Sequence, residues 1–150
     1  MAHSYTNLLF HAVFGTRGGQ PWLGPDVAER LYAYLAGVVD REGCSAILIN
    51  GTADHVHLLM AMRQDKILSG VVRAMKANSS KWLHQEYPDL EAFAWQGGYA
   101  AFTVSESQKQ RVYEYIRDQQ AHHRKRTFRE EFEALLAANA IEYDPQYLWQ

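Results

Sequence analysis

Two apolar runs meet at Asn50-Gly51, and that junction constrains the fold more than any other feature of the chain. Asn-Gly between hydrophobic stretches is the strongest short-range signal for a two-residue β-hairpin turn. Ala46-Ile47-Leu48-Ile49 reads as one strand and Asp54-His55-Val56-His57-Leu58-Leu59-Met60 as the next. Side chains on a strand alternate faces, so His55 and His57 project from one side, roughly 7 Å apart at about 3.3–3.4 Å per residue. Val56 and Leu58 then point the other way, into a core. Two imidazoles held in parallel on a stiff strand can grip one cation. The alternative is a half-exposed strand carrying two solvated histidines.

The rest of the chain supplies elements to flank this hairpin. Tyr5 to Phe14 is rich in aromatic and aliphatic residues and reads as a first strand, broken by the loop Gly15-Thr16-Arg17-Gly18-Gly19-Gln20-Pro21. From Asp26, a plausible N-cap, Val27, Leu31, Tyr34, Leu35 and Val38 recur at helical spacing until Gly43. A second helical pattern runs from about Lys66 to Gln85, with Ile67, Val71, Met75 and Trp82 as expected buried positions. Tyr99 to Val104 reads as a fourth strand, a third helix follows to about His123, and a further amphipathic segment covers Phe128 to Ala138. The order βαββαβ with a hairpin at the second and third strands predicts an α+β fold. It is a ferredoxin-like, RRM-like antiparallel sheet with helices on one face and extra C-terminal helices. No repeat, low-complexity tract or linker divides residues 1–150, so one domain is expected.

Bulk properties narrow the function. The single cysteine, Cys44, excludes an intramolecular disulfide and a thiolate zinc cluster. The start lacks a basic n-region, and no apolar run approaches the ~18–20 residues a bilayer span needs; a cytoplasmic protein with no membrane partner is expected. A net charge of −2 argues against bulk electrostatic binding of nucleic acid. Local basic surface is still available, in Arg73, Lys76 and Lys81 and in Arg124-Lys125-Arg126 with Arg129. Acids collect elsewhere, in Glu130, Glu131 and Glu133 and around Asp26 and Glu29. Runs of this kind read by default as solvated faces.

The third helix carries a second constellation. Tyr115 and Gln119 lie four apart and share a face, with His122 and His123 one turn on, whereas Tyr113 falls on a face with Arg117, Gln120 and Arg124 that looks outward. A tyrosine hydroxyl, with a pKa near 10, is a poor nucleophile at neutral pH unless a metal or base assists. A divalent cation on His55 and His57, with the Gln119 carbonyl oxygen as third ligand, could polarise a phosphodiester for in-line attack by Tyr115. Such attack gives a phosphotyrosine link and a free 3′-hydroxyl, conserving the bond for rejoining. Tyr115 alone would pass as an ordinary core tyrosine with a polar tip, and His122 and His123 as helix-end residues.

The chain resembles the HUH-type single-tyrosine transposases of small bacterial insertion sequences and their repeat-associated relatives. The resemblance is carried by His55-Val56-His57, by Tyr115-Ile116-Arg117-Asp118-Gln119 and by several segments in matching order. These are Val13-Phe14 with its Thr-Arg loop, Lys76 to Trp82, Trp95 to Tyr99, Ala101 to Ser105, Glu142-Tyr143-Asp144 and Tyr147-Leu148-Trp149. It implies metal-dependent cleavage and strand transfer of single-stranded DNA, Mg²⁺ or Mn²⁺ as cofactor, hairpin-bearing DNA as partner and a homodimer, with no small-molecule substrate. Carried over, His55, His57 and Gln119 are metal ligands and Tyr115 the nucleophile. Arg73, Lys76, Lys81, Arg124 and Lys125 are the expected phosphate contacts. Trp82 and Trp95 are either base-stacking platforms or core residues. Two other readings keep the same surface: a silent ferredoxin-like nucleic-acid binder, and a phosphodiester hydrolase that uses water.

Overall fold

The computed structural model describes residues 3–149. Its elements are β1 (Leu8–Gly15), α1 (Pro25–Arg41), β2 (Ser45–Thr52), β3 (His55–Met62), α2 (Leu68–Glu86), β4 (Ala100–Val104), α3 (Lys109–Arg117), α4 (Gln119–His122), α5 (Phe128–Ala138) and α6 (Pro145–Leu148). The four strands form one sheet in the order β2-β3-β1-β4, with every neighbouring pair antiparallel. This is the split βαβ arrangement expected from the element order, and it places β3 in the interior of the sheet.

The alternation along β3 sorts the two faces. Val56, Leu58 and Met60 join Ala12 and Phe14 of β1 in the main core, covered by Leu31, Leu35 and Val38 of α1 and by Val71, Met75 and Leu83 of α2. His55, His57 and Leu59 face the other way. There Leu59 packs with Leu9, Val104 and Ile116 of α3, while Val13 and Phe102 pack with Phe128, Phe132 and Leu136 of α5. Both faces are therefore covered, and the histidine face lies beneath the C-terminal helices.

Several boundaries differ from the sequence reading. The hairpin turn is Ala53-Asp54, and Asn50-Gly51 stays inside β2, paired with His57 and Val56. Gly51 serves close approach: a Cβ there would sit 2.0 Å from the His55 carbonyl oxygen. The displaced turn is fixed from outside, since Thr16 N–H donates to the Asp54 carbonyl (2.8 Å) and Leu23 N–H to that of Ala53 (2.9 Å). Helix α1 takes Gly24 as N-cap with Pro25 in its first turn, which leaves Asp26 to meet the helix dipole. Ile67 is 75% exposed, because it precedes the first turn of α2 and never joins its buried stripe. The third helix breaks at Asp118 into α3 and α4. Among the described residues no helix is long and apolar enough to cross a membrane.

Candidate metal and tyrosine site

His55 opens β3, and His57 follows on the same face; both are fully buried. Each ring is held at Nδ1 and presents Nε2 to the interior. His55 Nδ1 bonds Asp54 Oδ1 at 2.7 Å and Thr52 Oγ1 at 3.0 Å. His57 Nδ1 bonds Nε2 of His11, a buried residue of β1, at 2.8 Å. An imidazole that offers an Nε2 lone pair to a metal carries its proton on Nδ1, and Asp54 and His11 are the acceptors placed for those two protons. The alternation of β1 was a signal for His11, which shares the face of His57 through the β1–β3 register.

The two Nε2 atoms converge on Glu131, one of the acids expected on a solvated face. Glu131 is fully buried, and its Oε1 lies 2.9 Å from His57 Nε2, 3.3 Å from His55 Nε2 and 2.9 Å from His123 Nε2. Its Oε2 accepts from Gln119 Nε2 (3.0 Å) and from the Tyr115 hydroxyl. Helix α5 places it there by local means. Thr127 and Glu130 form a capping box that fixes the helix start. Phe128, one turn before Glu131, stacks on the His55 ring at 4.2 Å between centroids. The signal in the sequence was a carboxylate inside the stripe Phe128, Phe132, Leu136, where a charge is rare unless it has partners.

One ligand atom from each of His55, His57 and Glu131 falls within 4.8 Å of the others. Two neutral nitrogens and one anionic oxygen are a donor set that suits a divalent cation. Gln119 belongs to the same cluster, with its Oε1 3.1 Å from His55 Nε2. Burial would raise the Glu131 carboxyl, but the imidazoles of His123, His55 and His57 outweigh it and hold the group well below the usual carboxylate range. Burial lowers His57 to about 4 and His11 to about 3. His55 moves upward, because Asp54 and Glu131 overcome its burial.

These shifts predict an acid-labile protein in the absence of metal. His11 and His57 are depressed below their unfolded value of about 6.5, so their contribution is present above that pH and lost as pH falls. Between pH 6.5 and 5 the loss is roughly 2 kcal/mol per histidine, and the raised His55 offsets only a small part of it, because its own contribution is already nearly complete at its unfolded pKa. The melting temperature in EDTA should drop by about 10 °C between pH 7 and 5. A flat or rising profile would contradict the buried neutral pair.

Tyr115 is half-buried, its ring stacked on His122 at 4.8 Å and edge-on to His57 at 5.9 Å. Burial and then the Glu131 carboxylate raise its hydroxyl pKa. Asn50 anchors the helix that carries it, donating to the Ile116 and Arg117 carbonyl oxygens at 3.0 and 2.9 Å. Tyr113 is not the solvent-facing residue expected; it is partly buried against the cluster around Leu59 and Ile116. Histidines 122 and 123 do more than finish a helix, since one stacks on the tyrosine and the other bonds Glu131.

Of the expected phosphate contacts, Arg124 and Lys125 lie in the link between α4 and α5. They border an open cleft of about 550 Å³ shared with Asp54, His123 and Phe128. Arg73, Lys76 and Lys81 lie on α2, across the sheet from the histidines. Lys76 Nζ donates to the Gln96 and Gly98 carbonyl oxygens at 2.6 and 2.7 Å. Trp95 is a core residue, donating to Ser79 Oγ at 2.9 Å, and Trp82 stacks on Tyr34.

Comparison with known proteins agrees with this arrangement. Residues 4–119 match the family described as "Transposase IS200 like". The chain is 27% identical over 117 residues to the ISDra2 transposase TnpA of Deinococcus radiodurans, covering 75% of this chain and 84% of that protein. A crystal structure of a Deinococcus radiodurans R1 protein described as a transposase superposes with a TM-score of 0.66 at 24% identity, over 79% of this chain and 96% of the other. A REP-associated tyrosine transposase bound to a REP hairpin superposes with a TM-score of 0.62 at 13% identity, over 82% and 73%. Both structural likenesses concern the fold. With its histidine pair and a tyrosine gathered on one sheet face, the chain belongs to the IS200-like transposases, as an HUH single-tyrosine enzyme of metal-dependent single-stranded DNA cleavage.

Proposed function

We infer that this protein cuts single-stranded DNA beside a hairpin and rejoins the strand elsewhere, with Tyr115 as nucleophile and Mg²⁺ or Mn²⁺ as cofactor. The observation that carries this reading is the single carboxylate of Glu131, which bonds both histidines through one oxygen and the Tyr115 hydroxyl through the other. His55, His57 and Glu131, with Gln119 beside them, would hold the cation, whose chemistry is to polarise the phosphate as a Lewis acid.

The protein's own residues account for the rest of the step. Tyr115 is partly exposed, while His55, His57, Gln119 and Glu131 are fully buried, so the phosphate approaches from the tyrosine side. The tyrosine oxygen attacks phosphorus, the bond to the 3′-oxygen breaks, and the phenolic proton, relayed through Glu131 Oε2, ends on the departing 3′-oxygen. A free 3′-hydroxyl leaves and the 5′-phosphate stays on Tyr115. Attack by another 3′-hydroxyl reverses the link and seals the new junction. Arg124 and Lys125 border the cleft beside His123 and are the proposed backbone contacts there; Arg73, Lys76 and Lys81 would meet phosphates on the far face.

The test is a labelled single-stranded hairpin oligonucleotide incubated with Mn²⁺, then resolved under denaturing conditions. A protein–DNA band that EDTA abolishes is expected, and cleavage without such a band would favour the water-using hydrolase. One chain gathers all these groups, so mixing His55→Ala with Tyr115→Phe should restore no adduct. Recovery would instead show that the proposed homodimer exchanges its tyrosine helices.

A further inference from the structure

Next to the cluster lies a cleft of about 400 Å³ that the chemistry above does not use. Arg17 and Gly19 border it from the loop after β1, Gln96 from the segment before β4, and Phe128, Arg129 and Trp149 from the C-terminal helices. The last three lie beyond residue 119, where the family match ends. Phe128 joins the two sites: it borders the cleft while its ring stacks on metal ligand His55 at 4.2 Å.

The chemistry of the lining is specific. The Arg129 guanidinium carbon sits 4.8 Å from the Trp149 ring centroid, giving a cationic and aromatic platform. Among the described residues, Arg and Lys ion pairs are made by Arg30, Arg63, Lys66 and Arg117, which leaves Arg17 and Arg129 without a carboxylate. Asp54, the one acid bordering the cleft, is already bonded to His55 and Thr52. Gly18 and Gly19 adopt φ of 65° and 67°, and a Cβ on either would meet nothing within 4 Å, so the backbone is bare on that side. An aromatic surface with two guanidinium groups that meet no carboxylate among the described residues suits a planar group that carries a negative charge.

We propose that this cleft binds one unpaired nucleotide of the substrate strand, adjoining the scissile phosphate, with its base against the Arg129–Trp149 platform and its phosphate at Arg17. The identity of the occupant rests on the reading of Tyr115 as a DNA nucleophile. Asp54, Thr127 and Phe128 line this cleft and the one bordered by Arg124 and Lys125 alike, so the two adjoin.

The test uses the full chain in EDTA with ¹⁵N-labelled tryptophan and the tetranucleotide (dT)₄. The Trp149 indole resonance, identified by its loss in Trp149→Phe, should shift on titration. A tetramer of abasic nucleotides should bind at least about fivefold more weakly, the low end for one base stacked on an aromatic ring. Arg17→Ala, an exposed side chain outside the cluster, should weaken (dT)₄ by a similar factor. A Trp149 resonance that stays put, or abasic and Arg17→Ala titrations equal to the reference, overturns the proposal. A protein that shifts Trp149 yet forms no adduct with Mn²⁺ refutes the nucleophile and keeps the cleft; an adduct without the shift does the reverse.

Discussion

Tyr115→Phe should fold, still bind a hairpin oligonucleotide, and form no covalent DNA adduct. The ring keeps its stacking on His122 and its edge contact with His57, since only the hydroxyl is removed. The cost to the fold is one hydrogen bond to a carboxylate, about 1.5–3 kcal/mol, softened because Gln119 Nε2 still donates to the same oxygen. The cost to the reaction is of another order. Without the attacking oxygen no phosphotyrosine forms, and strand transfer should fall by at least about 10³-fold, the scale on which loss of a nucleophile acts. Denaturing gels measure the adduct, and a thermal melt confirms the fold. Tyr113→Phe is the matched control, because Tyr113 packs beside Leu59 and Ile116 away from the carboxylate. An adduct that persists in Tyr115→Phe and vanishes in Tyr113→Phe would move the nucleophile by two residues.

Substitution of Glu131 should be the most damaging single change in the chain. Five donor groups converge on this carboxylate: three imidazoles, one amide and one phenol. Glu131→Gln removes the charge and turns one acceptor into a further donor among donors. Breaking a buried ionic cluster in this way costs about 3–5 kcal/mol. The distinguishing measurement is the response to metal. Mn²⁺ at 100 times its dissociation constant stabilises the reference protein by about 2.7 kcal/mol, a rise of roughly 5–10 °C in melting temperature. Glu131→Gln should lose most of that rise. A variant that melts lower but keeps the full metal-induced rise would return the third ligand to Gln119, whose Oε1 already lies 3.1 Å from His55 Nε2.

The contrast between Glu131 and the histidine pair shows where sequence patterns stop being informative. His55 and His57 sit on a strand whose period of two fixes their common face whatever surrounds it, and Tyr115 and Gln119 meet at Glu131 although the helix breaks at Asp118 between them. The element order then settles the sheet. Asn50-Gly51 misled because two residues with strong turn preferences have tertiary duties. Gly51 admits a backbone within 2.0 Å of where its Cβ would stand, and the Asn50 amide holds the end of the tyrosine helix. Glu131 lies in Arg129-Glu130-Glu131-Phe132-Glu133, which locally has the look of a wet helix face. Its place in the stripe Phe128, Phe132, Leu136 is the one local sign of burial, and its partners follow from where α5 docks, a long-range event. His11 is an intermediate case, legible in its face but not in its partner.

The position of Glu131 also bears on how such an enzyme is made. Strands, histidines and tyrosine all lie before residue 120, and a ribosome delivers them first. The carboxylate that ties the tyrosine to the histidines arrives only with α5. A nascent or prematurely terminated chain can therefore close its sheet and still lack a finished centre.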